Sequence, residues 1–435
     1  MFGLSSRAGS RRITIVSALV ATFALVACTP ATASNVRVRH GLFGIHDNTA
    51  GSDSLSKIHT GSVRLWDVGV QWGQVQTSRT KPKYDWTRLD QLVTAAQKHH
   101  AEVTMVVAGT PSFYSKDPWN VPDTHIADYK AFIAALMNRY KNFKGHRGIA
   151  AYQVWNEGNI KTFWTGTVAK LARLTQAMDQ VRDKYDRRAK VIAPPMVTRL
   201  KFEMKGLSAY YHQRVGGKPV WRYVDAVALS LYPNARVSGR IAVPEDSMRL
   251  LHAAKQRLRA DGVPGSKAIW NTEVNYGLGS GTATKISDAR QVANVMRTYL
   301  LNAANGVKRV FWYRYDWGYL SGTTGTLGNT LLTSPTNSGS LRPAGKAYLR
   351  IQQWMHGTLL GTRTGPPCRA DRHGTYTCVV KDSSGVRRIY WNPFHRATVK
   401  IASNAHHRTT EFGVRDRVRP GSKIAVTYKP VLVSR

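Results

Sequence analysis

The chain has 435 residues, enough for two or three domains around a large core. Apolar residues make up 42% and charged residues 20%, which excludes an intrinsically disordered chain; three cysteines exclude a disulfide-dense scaffold or a multi-zinc module. Lys and Arg outnumber Asp and Glu by 63 to 25, a formal charge of +38. Such a surface is drawn to polyanions, so anionic cell-envelope polymers or a lipid surface are the expected partners. No nucleic-acid module is legible, and specific nucleic-acid binding is not expected.

Arg7, Arg11 and Arg12 precede a 14-residue apolar run at 13–26, the arrangement of an export signal. Two cleavage readings stand. Leu25-Val26-Ala27-Cys28 resembles a lipobox, which makes residues 1–27 a signal peptide and puts lipid on Cys28. Ala31-Thr32-Ala33 would suit ordinary signal peptidase and a secreted product. The lipobox lies directly at the end of the apolar run, so a membrane-anchored lipoprotein is the expectation and secretion the alternative. Residues 28–40 then read as a mature N-terminal linker. Loss of residues 1–27 removes three Arg and no acid, lowering the charge from +38 to +35. Cys368 and Cys378 remain, and an oxidising compartment permits a disulfide between them.

From residue 41 to 357, short apolar runs alternate with amphipathic patterns. Strands are predicted at 41–46, 62–68, 101–108, 149–155, 190–193, 224–231, 268–271 and 309–313, each rich in Val, Ile and aromatics and bounded by turn residues. Helices are predicted between them. At 86–99, Leu89, Leu92, Val93 and Ala96 share a face; at 128–140, Phe132, Ile133, Leu136 and Met137 do. Pro244-Glu245-Asp246 opens a further helix, with Pro early and acids in the first turn. Eight such alternations over roughly 300 residues point to an α/β fold, a (β/α)8 TIM barrel. An open doubly wound sheet is the rival, and no Gly-rich phosphate loop follows the first strand to support it. From 358 to 435 the pattern becomes short alternating strands with turns such as Asp382-Ser383-Ser384-Gly385. A small C-terminal antiparallel, β-sandwich-like domain follows, its first hairpin pinned by Cys368 and Cys378.

Barrel enzymes carry their chemistry at the C-terminal ends of the strands. Strand four ends Trp155-Asn156-Glu157, and strand seven ends Asn271-Thr272-Glu273. Two carboxyls on opposite sides of a ring are what glycoside hydrolysis needs: one donates a proton to the leaving oxygen, the other acts at the anomeric carbon. Here the chain resembles a retaining glycoside hydrolase of clan A, near families 5 and 39. The likeness rests on Trp155-Asn156-Glu157, Thr272-Glu273, Val63-Arg64-Leu65-Trp66, Tyr84-Asp85-Trp86 and Gly109-Thr110-Pro111. It implies Glu157 as acid/base and Glu273 as nucleophile, in a double displacement without cofactor or metal. It further implies Asn156 on the sugar 2-hydroxyl, Arg64 steadying the nucleophile, Tyr232 bonded to it, and Trp312 as an aromatic floor. Ser230 stands where many clan members have His.

The substrate-binding set is therefore Asn156, Arg64, Tyr232, Trp312, His46 and Trp66. His46-Asp47-Asn48 reads equally as a cleft wall or an ordinary polar loop. Trp66, Trp72, Trp119, Trp164 and Trp317 read as sugar platforms or as core. The expected function is a glycosidase acting on a polysaccharide or oligosaccharide, β-xylosidase- or β-glucanase-like or directed at a cell-envelope glycan. The expected assembly is a monomer. The alternative is a non-catalytic carbohydrate-binding lipoprotein at the cell surface.

Overall fold

The computed structural model of the protein describes residues 35–46, 54–277, 286–315, 330–334, 340–362 and 365–435. The export signal, Cys28, Asp47, Asn48 and Trp317 lie outside the described residues. Eight parallel strands close on themselves: β1 (Phe43–Ile45), β2 (Ser62–Leu65), β3 (Glu102–Val107), β4 (Ala151–Val154), β5 (Lys190–Ile192), β6 (Ala226–Ser230), β7 (Ala268–Val274) and β8 (Arg309–Trp312). Closure is carried by β8 against β1, with Val310 opposite Phe43, and by β6 against β7, with Ala226 opposite Ala268. The strands are almost wholly buried, as expected where helices cover one face and side chains fill the other. A small interior cluster joins Ala151, Ile192, Ala226 and Ala228 to Trp270 and Phe311, so alanines on two strands make room for two large rings.

Helices follow in the expected rhythm: α1 (Thr87–Lys98), α2 (Ile126–Tyr140), α3 (Val168–Tyr185), α4 (Lys201–Tyr211), α5 (Pro244–Ala260), α6 (Asp288–Ala304) and α7 (Pro343–Met355). Their starts are set by local chemistry. The Thr167 hydroxyl accepts the Lys170 N–H of α3 at 3.1 Å, and the Asp246 carboxylate accepts the Val243 N–H at the head of α5 at 2.9 Å. Among the described residues, only a short 3₁₀ turn, Ser54–Lys57, stands between β1 and β2.

The chain then enters an antiparallel domain: β9 (Cys368–Ala370), β10 (Tyr376–Asp382), β11 (Gly385–Trp391), β12 (Ala397–Lys400), β13 (His407–Thr409), β14 (Arg415–Arg417), β15 (Lys423–Val426) and β16 (Val431–Ser434). β12 and β15 form a separate ribbon, and Ile424 and Val426 pack from it toward Tyr390, Val431 and Val433 of the larger sheet. Cys368 and Cys378 stand directly opposite one another in the β9–β10 pair and are disulfide-bonded.

Several contacts bind this domain to the barrel. Val36–Arg37, inside the segment read as a linker, forms a short strand pairing with Thr358–Leu359 and so joins the larger sheet. Deeper in, the fully buried Arg297 of α6 forms an ion pair with Glu245 of α5; the Trp391 indole N–H donates to the same carboxylate at 2.8 Å, and Arg297 also donates to the Tyr428 carbonyl at 3.3 Å. One apolar core runs on from the barrel through Cys378, Val380, Ile389 and Trp391.

Candidate active site

The C-terminal mouth of the barrel holds a cleft of about 560 Å³ lined by residues that include Asn156, Glu157, Tyr232 and Glu273. Each arrives there because of how its strand ends. β4 stops at Val154, and the chain turns sharply: Trp155 has φ 57° and Glu157 φ 37°, both in the left-handed region. Such conformations cost about 1–3 kcal/mol each in non-glycine residues. The turn is held by its surroundings: the Trp155 indole donates to the Phe163 carbonyl and the Gly158 N–H to Pro195 O at 3.1 Å. Glu273 lies one residue from the end of β7, where the pairing register with β6 and with β8 shifts.

Arg64 sits beneath the cleft floor with no exposure and organises it. Its guanidinium donates to Glu273 Oε1 at 2.6 Å, to Asn156 Oδ1 at 2.8 Å and to Gln153 Oε1 at 2.7 Å. Gln153 is in turn held by the Ala193 carbonyl at 3.1 Å. Fixing the Asn156 oxygen in this way turns its amide N–H groups toward the cleft. The Tyr232 hydroxyl donates to the other Glu273 oxygen at 3.2 Å. Burial and the nearby carboxylates push Tyr232 well up, which keeps that proton in place.

The two glutamates are equally buried, at 7% exposure, but differently partnered. Burial, helped by the Asp67 charge, pushes Glu273 up on balance, and the charge and hydrogen bond of Arg64 and the Tyr232 hydroxyl oppose that rise. Glu157 has no cation in contact; burial and the charge of Glu273 push it up to about 8. The shared proton therefore belongs on Glu157, and the negative charge on Glu273.

Three expectations about substrate contact are corrected. Arg64 is sealed under the floor and reaches Glu273, Asn156 and Gln153, with a guanidinium nitrogen also 3.3 Å from His46 Nε2. His46 is also fully buried, its Nε2 at 3.1 Å from the Thr272 carbonyl and its ring against Tyr313, and burial with the Arg64 charge pushes it well below its ordinary value. A neutral His46 props the floor from behind. Trp312 lies in the barrel wall, its indole donating to Thr330 O at 2.7 Å; the cleft is lined instead by its neighbour Tyr313. Side chains alternate along a strand, so consecutive residues cannot both face one way.

Trp66 does line the cleft, with Trp119 and Phe163 packed around it at ring distances of 5.5–6.0 Å. Trp72 and Trp164 are core residues. The lining residues that escaped the sequence reading include Asp67, Arg199, Asn275 and Tyr313. The Tyr313 hydroxyl donates to Asp67 Oδ2 at 2.5 Å, and the Asn275 amide donates to the Tyr313 carbonyl. Asp67 Oδ1 and Asn275 Oδ1 are left as buried acceptors without a hydrogen-bond partner. Asp67 directly follows Trp66 past the end of β2, and that strand-end carboxylate was the available signal. Among the described residues, no group of three or more His, Cys, Asp or Glu side chains is placed to hold a metal ion.

Fold and site thus define a closed (β/α)8 barrel with an antiparallel accessory domain and an acidic cleft at its C-terminal mouth. No protein-family model matches the chain, and no curated protein matches it. Solved structures do. A family 39 glycoside hydrolase from Bacteroides cellulosilyticus superposes with a TM-score of 0.68 at 14% identity, covering 91% of this chain and 81% of that one. A monomeric β-xylosidase from Caulobacter crescentus gives 0.65 at 14%, covering 92% and 97%. A family 30 endoxylanase from Clostridium papyrosolvens gives 0.59 at 11%, covering 92% and 97%. At these identities the likeness shows the fold, accessory domain included.

Proposed function

We propose that this chain is a retaining glycoside hydrolase of clan A type, with Glu157 as acid/base and Glu273 as nucleophile. The observation that carries the reading is the unequal partnering of two buried carboxyls across one cleft. In the first step a Glu273 oxygen bonds to the anomeric carbon as the bond to the leaving oxygen breaks, and that oxygen takes the Glu157 proton. The ester so formed has lost the charge of Glu273. Glu157 then falls in pKa and becomes the base the second step needs, taking a proton from water as the water oxygen displaces Glu273. Asn156, aimed by Arg64, suits the sugar hydroxyl beside the attacked carbon. Trp66, Trp119 and Phe163 offer apolar faces to sugar rings.

The structural neighbours include a β-xylosidase and an endoxylanase, so β-linked xylosides head the substrate classes, ahead of glucosides and cell-envelope glycans. The sequence signal at residues 1–28 adds export and lipid anchorage at Cys28 to this reading. The test is sugar release from aryl β-glycosides and from plant and envelope polysaccharides, beside Glu273→Gln. Activity that falls by about a thousandfold or more in the variant, with an initial product of unchanged anomeric configuration by NMR, supports the assignment. Binding without turnover on a panel that contains the bound linkage would replace it with a carbohydrate-binding protein.

A further inference from the structure

The opposite end of the barrel has its own concavity, of about 420 Å³, lined in part by Arg37, Arg39, Lys190, Lys308 and Arg309. These residues come from three separate stretches of chain, at or just before the starts of strands. Lys190 is the first residue of β5 and Lys308 immediately precedes β8, while Arg37 and Arg39 run up to β1. The side chains of Arg37, Arg39, Lys190 and Lys308 are exposed and, among the described residues, make no hydrogen bond or ion pair. The one acid in the lining, Glu102, is already paired with Arg309. Acids that flank this end are occupied too: Asp186 with Arg147 at 2.8 Å, and Asp225 with Arg182 at 3.3 Å. Four cations converging on a hollow without counter-charge make a site for anionic oxygens.

We propose that this N-terminal mouth binds the phosphate groups of an anionic phospholipid surface, so that the cleft at the other end of the barrel points away from the membrane. Charge complementarity alone would also admit a soluble polyphosphate. The chain's own course favours the lipid. Cys28, the expected lipid anchor, precedes Arg37, which already belongs to the concavity, by nine residues. Nine residues span at most about 30 Å even when fully extended. A lipid carried on Cys28 would therefore bring this face, rather than the cleft, to the surface. The inference does not depend on the glycosidase reading.

The test compares the full-length chain on vesicles of phosphatidylcholine alone and of phosphatidylcholine mixed equally with phosphatidylglycerol. The apolar N-terminal run contributes alike to both, so the readout is the ratio of the two partition coefficients. One variant carries Arg37→Gln, Arg39→Gln, Lys190→Gln and Lys308→Gln. A control removes the same charge from exposed strand residues of the C-terminal domain: Lys400→Gln, Arg415→Gln, Arg417→Gln and Lys423→Gln. Each basic residue near an anionic leaflet contributes roughly fivefold, so the mouth variant with its four changes should lose about six-hundredfold in the ratio and the control about threefold or less. Equal losses in both variants would make the effect one of overall charge and overturn the site. So would an unchanged ratio in the mouth variant. A third arm measures inorganic polyphosphate in solution: weakened polyphosphate binding with an intact vesicle ratio would replace the membrane with a soluble polymer. Hydrolysis of a small aryl glycoside by the mouth variant separates this outcome from the function of the cleft.

Discussion

The two mouths of the barrel use charge in opposite ways. At the C-terminal mouth, Arg64 is wholly buried and its guanidinium is held by Glu273, Asn156 and Gln153. At the N-terminal mouth, Arg37, Arg39, Lys190 and Lys308 are exposed and have no hydrogen-bond or ion-pair partner among the described residues. A buried cation fixes atoms to within a hydrogen bond and sets the protonation of its neighbours, since little water competes. An exposed cation fixes nothing; it adds to a field that reaches about a Debye length and fades with salt. The same residue type thus supplies geometry at one end and attraction at the other.

The largest expected break in that contrast is Arg64→Met. It leaves Glu273 buried without its cation and frees Asn156, and should lower stability by about 3–5 kcal/mol. Turnover should fall by roughly a hundredfold or more, because Glu273 then holds its proton. Urea unfolding and aryl-glycoside kinetics measure both effects; a variant that keeps wild-type turnover would remove Arg64 from the account.

Next comes Glu157→Gln, which tests the desolvated acid. Its carboxyl goes from an ordinary value near 4.5 to about 8 in the fold. Between these values the folded state holds a proton that the unfolded chain has released, so the group makes stability fall as pH rises through the window. Glu157→Gln removes that slope. Its melting temperature relative to wild type should climb by a few degrees from pH 5 to pH 8, while the loss of kcat/KM that wild type shows above about pH 8 disappears. A flat difference in melting temperature would place the proton elsewhere. The smallest effect belongs to the other mouth: Arg39→Gln should leave stability within about 0.5 kcal/mol and aryl-glycoside turnover unchanged, as calorimetry and steady-state kinetics would show.

The barrel was legible because each strand announces itself locally, as a short run of Val, Ile and aromatics between turn residues. Glu157 and Glu273 were legible for a related reason: a carboxylate at the end of such a run has no apolar role. What escaped depends on contacts far along the chain. Trp312 and Tyr313 are adjacent, and which of them faces the cleft is decided by where β8 lets go, a property of its pairing with β7 and β1. Arg199 reaches the cleft from the segment leading into α4. Val36–Arg37 is too short to read as a strand without Thr358–Leu359, more than 300 residues away in the chain. His46 looked polar and therefore exposed; only the fold shows it under Tyr313.

The knot of Glu245, Arg297 and Trp391 bears on how this architecture can be taken apart. Many accessory domains behave as cassettes, joined to a catalytic body by a polar seam and exchangeable between hosts. Cutting here at residue 357 would strip Trp391 from a carboxylate that no water otherwise reaches and would open a continuous apolar core. The sheet is thus a wall of the barrel rather than a passenger, and a graft of the barrel onto a different partner module would have to bring this wall with it.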